Sequence, residues 1–156
     1  MRVRVAADEI AGVAVRQRSE QRDVGEIELH LAGTLTAADL RVADAPGVLL
    51  HGYLDHDASV ALEAGAGAIV TDSGSVQEEA SALGVSCFTL RETSERPITL
   101  THGTNVLLGE DPAEIAAVRP SQRPPTPAAI PLWDGHAGER VADVLVANYA
   151  LLSTAT

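Results

Sequence analysis

Short apolar runs alternate with helix-period segments through most of the 156-residue chain. Val13 to Val15, Ile27 to Leu31, Val48 to His51, Ala68 to Thr71 and Ser86 to Leu90 read as strands, bounded by Gly, Asp or Ser. Between them, Thr36 to Val42, Ala58 to Ala64 and Ser75 to Leu83 read as helices. Thr36 and Asp57 stand where N-caps belong, and Ala-Gly steps mark C-terminal ends. Buried-type strands alternating with helices at roughly 20-residue spacing predict an α/β fold, a Rossmann-like parallel sheet with right-handed crossovers and helices on both faces. One crossover is too short. Only RQRSEQRDVGE separates Val15 from Ile27, eleven mostly polar residues without an apolar stripe. A parallel return takes a dozen residues or more, usually with a helix, so either these strands are antiparallel neighbours or a helix has been lost.

After Ala117 the pattern changes. VRPSQRPPTPAAIP holds four prolines between Pro120 and Pro127, which forbids regular helix and central strand and predicts an extended linker. A last helix follows from about His136 to Leu152, with Val141, Val144, Leu145, Tyr149 and Leu152 spaced to share one face. The expected organisation is therefore a nucleotide-binding-type domain over residues 1–118 with a degenerate N-terminal part, a linker over 119–131, and an amphipathic helix within 132–156. That helix is expected to pack back on the domain or on a partner.

Charge narrows the chemistry. Twenty-two acidic side chains against eleven basic ones give a net charge of -11, and all eleven cations are arginines. Without lysine there is no Schiff base and no P-loop nucleotide site. An acidic surface also argues against duplex nucleic acid and anionic membranes as partners. No apolar run approaches the ~18 residues of a membrane span, and MRVRVAADEI lacks the apolar core of a signal peptide. The single cysteine, Cys87, cannot form an internal disulfide and lies in an apolar strand, which suits a reducing, cytoplasmic setting.

The densest chemistry lies in IVTDSGSVQEEASALGV, Ile69 to Val85. A strand ends at Thr71, a short Asp-Ser-Gly-Ser turn follows, and a helix begins. Backbone N–H groups and a helix dipole at the carboxyl edge of a parallel sheet hold an anion without lysine. Gly74 permits close backbone approach, Ser73 offers a hydroxyl, and Glu79 could accept hydrogen bonds from ribose hydroxyls. The alternative is that Asp72 or Ser73 is an ordinary N-cap and the glutamates complement the dipole. In LRETSERPITLTHGT, Arg91 and Arg96 lie past the end of the next strand, where a guanidinium grips a diphosphate or pairs with Glu92, Glu95 or Glu79. Pairing is the favoured reading for Arg91 and ligand binding for Arg96. HGYLDHDAS follows a third strand on the same edge. His51, Asp55, His56 and Asp57 invite a metal reading, but no further ligand pair with defined spacing supports it, and neither metal nor cofactor is expected.

At these residues the chain resembles the UDP-N-acetylglucosamine 2-epimerase family. TDSGSVQEEASALGV is similar to that family's T-D-S-G-G-x-Q-E-E-A stretch. RETSERPITLTHGTNVLLGEDPAEI resembles its T-E-R-P, A-G-T and L-V-G-T-D run, and LWDGHAGERVADVL its terminal Y-G-D-G-x-A segment. The resemblance covers Gly47 to Leu145 and implies the second half of a glycosyltransferase-B-type fold, in which a nucleotide sugar lies between two Rossmann-like halves. It further implies that Ser73, Gly74 and Ser75 hold the diphosphate, Glu79 the ribose, Arg96 the phosphate region, and the loop from His51 to His56 the uracil. The family's reaction eliminates UDP, epimerises the sugar at its 2-position and adds UDP back, or hydrolyses the intermediate. Most of its proton-moving carboxylates belong to the first half. Three departures stand out: Ser75 replaces a glycine, AVRQRSEQRD resembles an eroded H-R-x-E-N segment with Gln17 at the histidine position, and the short crossover before ELHLAG stands where the family has a helix.

Three functions follow as expectations. The first is a UDP or UDP-N-acetylhexosamine binding half, inactive alone or completed by a separate chain. The second is a degenerate oligomerisation module acting as a homodimer. The third is a small active epimerase or hydrolase improvising acid and base from Asp8, Glu9, Glu20 or Asp23.

Overall fold

The computed structural model describes residues 12–17, 27–33, 45–120 and 126–153. Six strands form one sheet: β1 Gly12–Gln17, β2 Ile27–Ala32, β3 Val48–Gly52, β4 Ala68–Thr71, β5 Cys87–Thr89 and β6 Asn105–Leu107. Their spatial order, β3-β2-β1-β4-β5-β6, is that of a doubly wound nucleotide-binding sheet. Strands β4, β5 and β6 run parallel to one another, as do β2 and β3. Between these blocks β1 is antiparallel to both neighbours, pairing Val13 with Leu31 and Val70. This resolves the short crossover: β1 and β2 are antiparallel neighbours, so no parallel return is needed between them. The expected helix from Thr36 to Val42 lies outside the described residues.

All four residues of β4 are buried, as a central strand requires. Its period of two sends Ile69 to one face and Ala68 and Val70 to the other. Ile69 packs with Ala66, Ala80, Val85 and Cys87 beneath helices α1 (His56–Ala64) and α2 (Gly74–Leu83). Ala68 and Val70 pack with Leu31, Leu50 and Phe88 beneath Ile115 and Val118, from the 3₁₀ turn Pro112–Ala117 and its end. Both sheet faces thus carry helical cover.

Helix α1 starts two residues earlier than the pattern predicts. Asp55, rather than Asp57, is the N-cap, and its Oδ1 accepts from the Ala58 N–H at 2.9 Å. Two further elements escaped the pattern: β6 and the five-residue helix α3 (Pro97–Thr101), which opens on a proline in its first turn. The final helix, α4 (Ala137–Ser153), forms as the periodicity predicts. Val141, Val144, Leu145 and Tyr149 are nevertheless exposed there, between 58% and 75%.

Helix α2 ends on Gly84 at φ 75°, the left-handed cap conformation that favours glycine. The segment after the proline-rich stretch docks at that end. Ala128 N–H donates to the Ser81 carbonyl at 3.3 Å, and Ile130 is buried. A Cβ on residue 84 would run into the Thr126 carbonyl. Gly84→Ala is therefore expected to combine a left-handed strain with a backbone collision, costing about 1–3 kcal/mol and visibly lowering Tm in thermal denaturation.

Candidate functional site

The carboxyl ends of β4, β5 and β6 open on one edge, and the turn after β4 sits at its centre. Thr71 Oγ1 accepts from the Ser73 N–H at 3.0 Å, folding the chain sharply before α2. Ser73 is the N-cap, but its side chain makes no capping bond; its hydroxyl instead lies 3.0 Å from that of Ser75. The first amides of α2 thus lack a side-chain cap, and the positive end of the helix dipole faces the edge.

The loop after β5 is drawn onto this turn. A Cβ on residue 74 would stand 2.9 Å from Glu95 Oε1 and 3.7 Å from Arg96 Nε, so the absence of a side chain there leaves the Glu95 carboxylate room over the turn. Glu95 is held there by Arg91, whose Nη1 donates to its Oε2 at 3.2 Å. A carboxylate therefore lies over the helix start, where an anion would bind. Arg96 Nε lies 3.1 Å from Glu78 Oε1 without a well-directed hydrogen bond. Both arginines are in ion pairs, as expected for Arg91, and Arg96 remains 40% exposed at the edge.

Beneath the loop is a buried polar network that the sequence did not reveal. Gln77 Oε1 accepts from Ser94 Oγ and from Asn105 Nδ2, at 2.5 and 3.1 Å. Asn105 Oδ1 accepts from Thr89 Oγ1 at 2.6 Å, and its Nδ2 also donates to Thr99 Oγ1 at 3.1 Å. Ser94 Oγ accepts from the Arg96 N–H in turn. Five side chains from α2, the loop, α3, β5 and β6 fix where Ser94 and Arg96 stand. Gln77 lay in the Q-E-E stretch and carried a signal; Asn105, in an apolar triplet, carried none.

The structure divides the histidines. His56, at the start of α1, places Nδ1 3.9 Å from Glu79 Oε1, beside the first turns of α2. His51 ends on β3, three strands and on the order of 14 Å from β4. It is engaged there with buried His30: Nδ1 of His30 lies 2.9 Å from Nε2 of His51, and the rings stack at 5.1 Å. Gln17 ends antiparallel β1, and the register carries it past Ala68 toward the opposite edge from Ser73. Asp8, Glu9, Glu20 and Asp23 lie outside the described residues. Among those described, no group of three or more His, Cys, Asp or Glu is placed to hold a metal ion.

Two buried groups have displaced proton equilibria. Burial pushes the Cys87 thiol up to about 12, leaving it a core side chain rather than a nucleophile. Glu63, on α1, is only 5% exposed. Burial first, and then the neighbouring Glu79 carboxylate, push its carboxyl up to about 7.

Residues 26–146 match the model of a family described as UDP-N-acetylglucosamine 2-epimerase. The chain is similar to the UDP-N-acetylglucosamine 2-epimerase of Methanococcus maripaludis, at 40% identity over 95 residues, 60% of this chain and 25% of the relative. That of Methanocaldococcus jannaschii is 41% identical over a stretch of the same size. A crystal structure of the Methanocaldococcus jannaschii enzyme in complex with UDP-GlcNAc and UDP superimposes with a TM-score of 0.58 at 27% identity, covering 74% of this chain and 35% of that one. The chain thus spans about a quarter of the length of these curated relatives. The likeness extends to the fold, a Rossmann-like sheet with helices as in these epimerase structures. The matched region begins after Gln17, so it does not test the placing of that residue at the family's histidine position.

Glu63 gives the site a pH signature. Its folded value, about 7, lies above the ordinary 4.5, so folding is favoured by protonation. That contribution is fully present below 4.5 and lost as pH rises through about 7. The difference amounts to roughly 3 kcal/mol. Glu63→Gln is expected to raise Tm at pH 8 by several degrees and to flatten the Tm profile between pH 5 and 8.

Proposed function

Because the chain belongs to the UDP-N-acetylglucosamine 2-epimerase family, we propose that it is a UDP and UDP-N-acetylhexosamine binding unit of epimerase type, without a complete set of proton-transfer groups of its own. The observation that carries this reading is the meeting of two loops: the uncapped start of α2 at Ser73 to Ser75 faces the Ser94–Arg96 loop across Gly74. Helix amides take the diphosphate, with the Ser73 and Ser75 hydroxyls as further donors. Arg96 contributes a guanidinium, exchanging Glu78 for phosphate oxygens. Glu79, one turn into α2, accepts from the ribose, and His56 beside it lines the nucleoside end. The loop from His51 to His56 lines the uracil side, with the His51 ring itself held against His30. Binding displaces the Glu95 carboxylate from above Gly74, a like-for-like exchange of anions.

The solved relative named above holds UDP-GlcNAc and UDP, which supports this ligand class. The chain's share of its relatives' length supports the view that epimerisation or hydrolysis draws its acid and base from outside these 156 residues.

A second reading is favoured by α4. Its exposed Val141, Val144, Leu145 and Tyr149 form the kind of apolar stripe that a partner chain covers, either a second copy or a chain carrying the family's first half.

Calorimetric titration of the full chain with UDP is expected to show saturable binding. A Ser73→Ala, Arg96→Ala double variant should weaken it at least tenfold, about 1.4 kcal/mol; absence of binding at millimolar UDP rejects the nucleotide reading. Light scattering is expected to show concentration-dependent self-association that Leu145→Asp abolishes. A monomer at every concentration rejects the homodimer.

A further inference from the structure

The buried carboxyl of Glu63 has one oxygen satisfied and one not. Oε1 accepts from Ser59 Oγ at 3.2 Å, while Oε2 is enclosed without a donor. Beside it, on the neighbouring helix packed against α1, is the Glu79 carboxyl, close enough to act on the proton equilibrium of Glu63. Two ionised carboxylates offer only acceptors to each other, and the interior cannot support both charges; one proton between them supplies the missing donor and removes one charge. We propose that Glu63 and Glu79 share a single proton, and that Glu63, by donating it, holds Glu79 in the orientation from which it accepts the ribose hydroxyls of a bound nucleotide.

Glu63 is thus a positioning residue, acting through Glu79. This rests on the nucleotide reading above only for the ribose; the shared proton rests on the packing of α1 against α2. The groups around the pair are few. Ser59 faces Glu63 from its own helix, the Cys87 thiol from β5, and His56 stands against Glu79 from the start of α1. Cys87 is un-ionised at neutral pH and cannot neutralise a second carboxylate. His56 is three-quarters exposed and lies on the Glu79 side. When the shared proton is lost, repulsion drives the half-buried Glu79 carboxylate outward, since Glu63 is enclosed and cannot move.

Two measurements test this on the full chain. In the absence of nucleotide, the carboxyl ¹³C resonance of Glu63 is expected to titrate near neutrality; movement in the ordinary carboxylate range overturns the shared proton, whatever the chain binds. In calorimetry, the probe is UDP-N-acetylglucosamine, whose doubly esterified diphosphate has no proton to lose near neutrality. Its Kd is expected to rise from pH 6 to pH 8, approaching at most tenfold per pH unit. The rise should disappear in Glu63→Gln, whose amide is a permanent donor to Glu79, and persist in His56→Gln. A rise that survives Glu63→Gln, or one lost in His56→Gln, overturns the proposal. Expected carboxyl titration without binding at any pH overturns the ribose role together with the nucleotide reading, and leaves the shared proton as a property of the helix pair.

Discussion

The candidate site depends on one buried amide. Asn105 reaches across from β6 to bond Thr89, Thr99 and Gln77, and Gln77 in turn holds Ser94. Asn105, Gln77, Thr89 and Thr99 are all less than 5% exposed, in a medium where an unmet polar group costs on the order of 1–3 kcal/mol. Such a network has few ways to be satisfied, so it fixes geometry as well as adding stability. Here it sets the height and direction of a loop that has little other packing. The approach of Glu95 and Arg96 to Gly74 follows from that anchor.

Electrostatics at the edge then reads as a set of exchangeable pairs. Two of the eleven arginines of this strongly acidic protein, Arg91 and Arg96, lie in the loop that faces the start of α2, where the helix dipole supplies positive potential. Arg91 and Arg96 are paired with carboxylates, and Glu95 stands over the helix start. Exposed pairs of this kind contribute little to stability, so giving them up to a stronger anion costs little. The more demanding electrostatics lies deeper, at Glu63, where burial rather than pairing sets the charge state.

Where the chain obeys simple periodicity, the fold was legible. The runs at Ile27, Val48 and Ala68 became strands, and the Gly65 and Gly84 steps ended helices. The shortness of the Val15–Ile27 connection also held information, since it left an antiparallel pair as one of two outcomes. Two short elements were not legible: β6 and α3 each hold little more than one period, and Thr99 and Asn105 look like surface residues until the network encloses them. The Asp-Ser-Gly turn and the arginine loop were legible because strand ends dictate where they meet. Glu63 was not. A glutamate four residues after a serine on a helix looks solvated, and only the packing of α2 makes it interior.

The reversed β1 has a consequence for how this architecture tolerates change. Among the described residues it is the only strand joining the β2–β3 pair to the β4–β6 block, through Val13–Val70, Ala14–Ile69 and Val15–Ala68. The serine turn, the arginine loop and the amide network all belong to the β4–β6 side of that seam. Drift in the strands beyond it reaches that block through three backbone pairings, whose hydrogen bonds do not depend on side-chain identity, and through the core in which Leu31 and Leu50 pack with Ala68, Val70 and Phe88. The outer strands can therefore vary at exposed positions such as Leu49, whereas a change at Leu31 or Leu50 is felt beneath the strands that carry the candidate site.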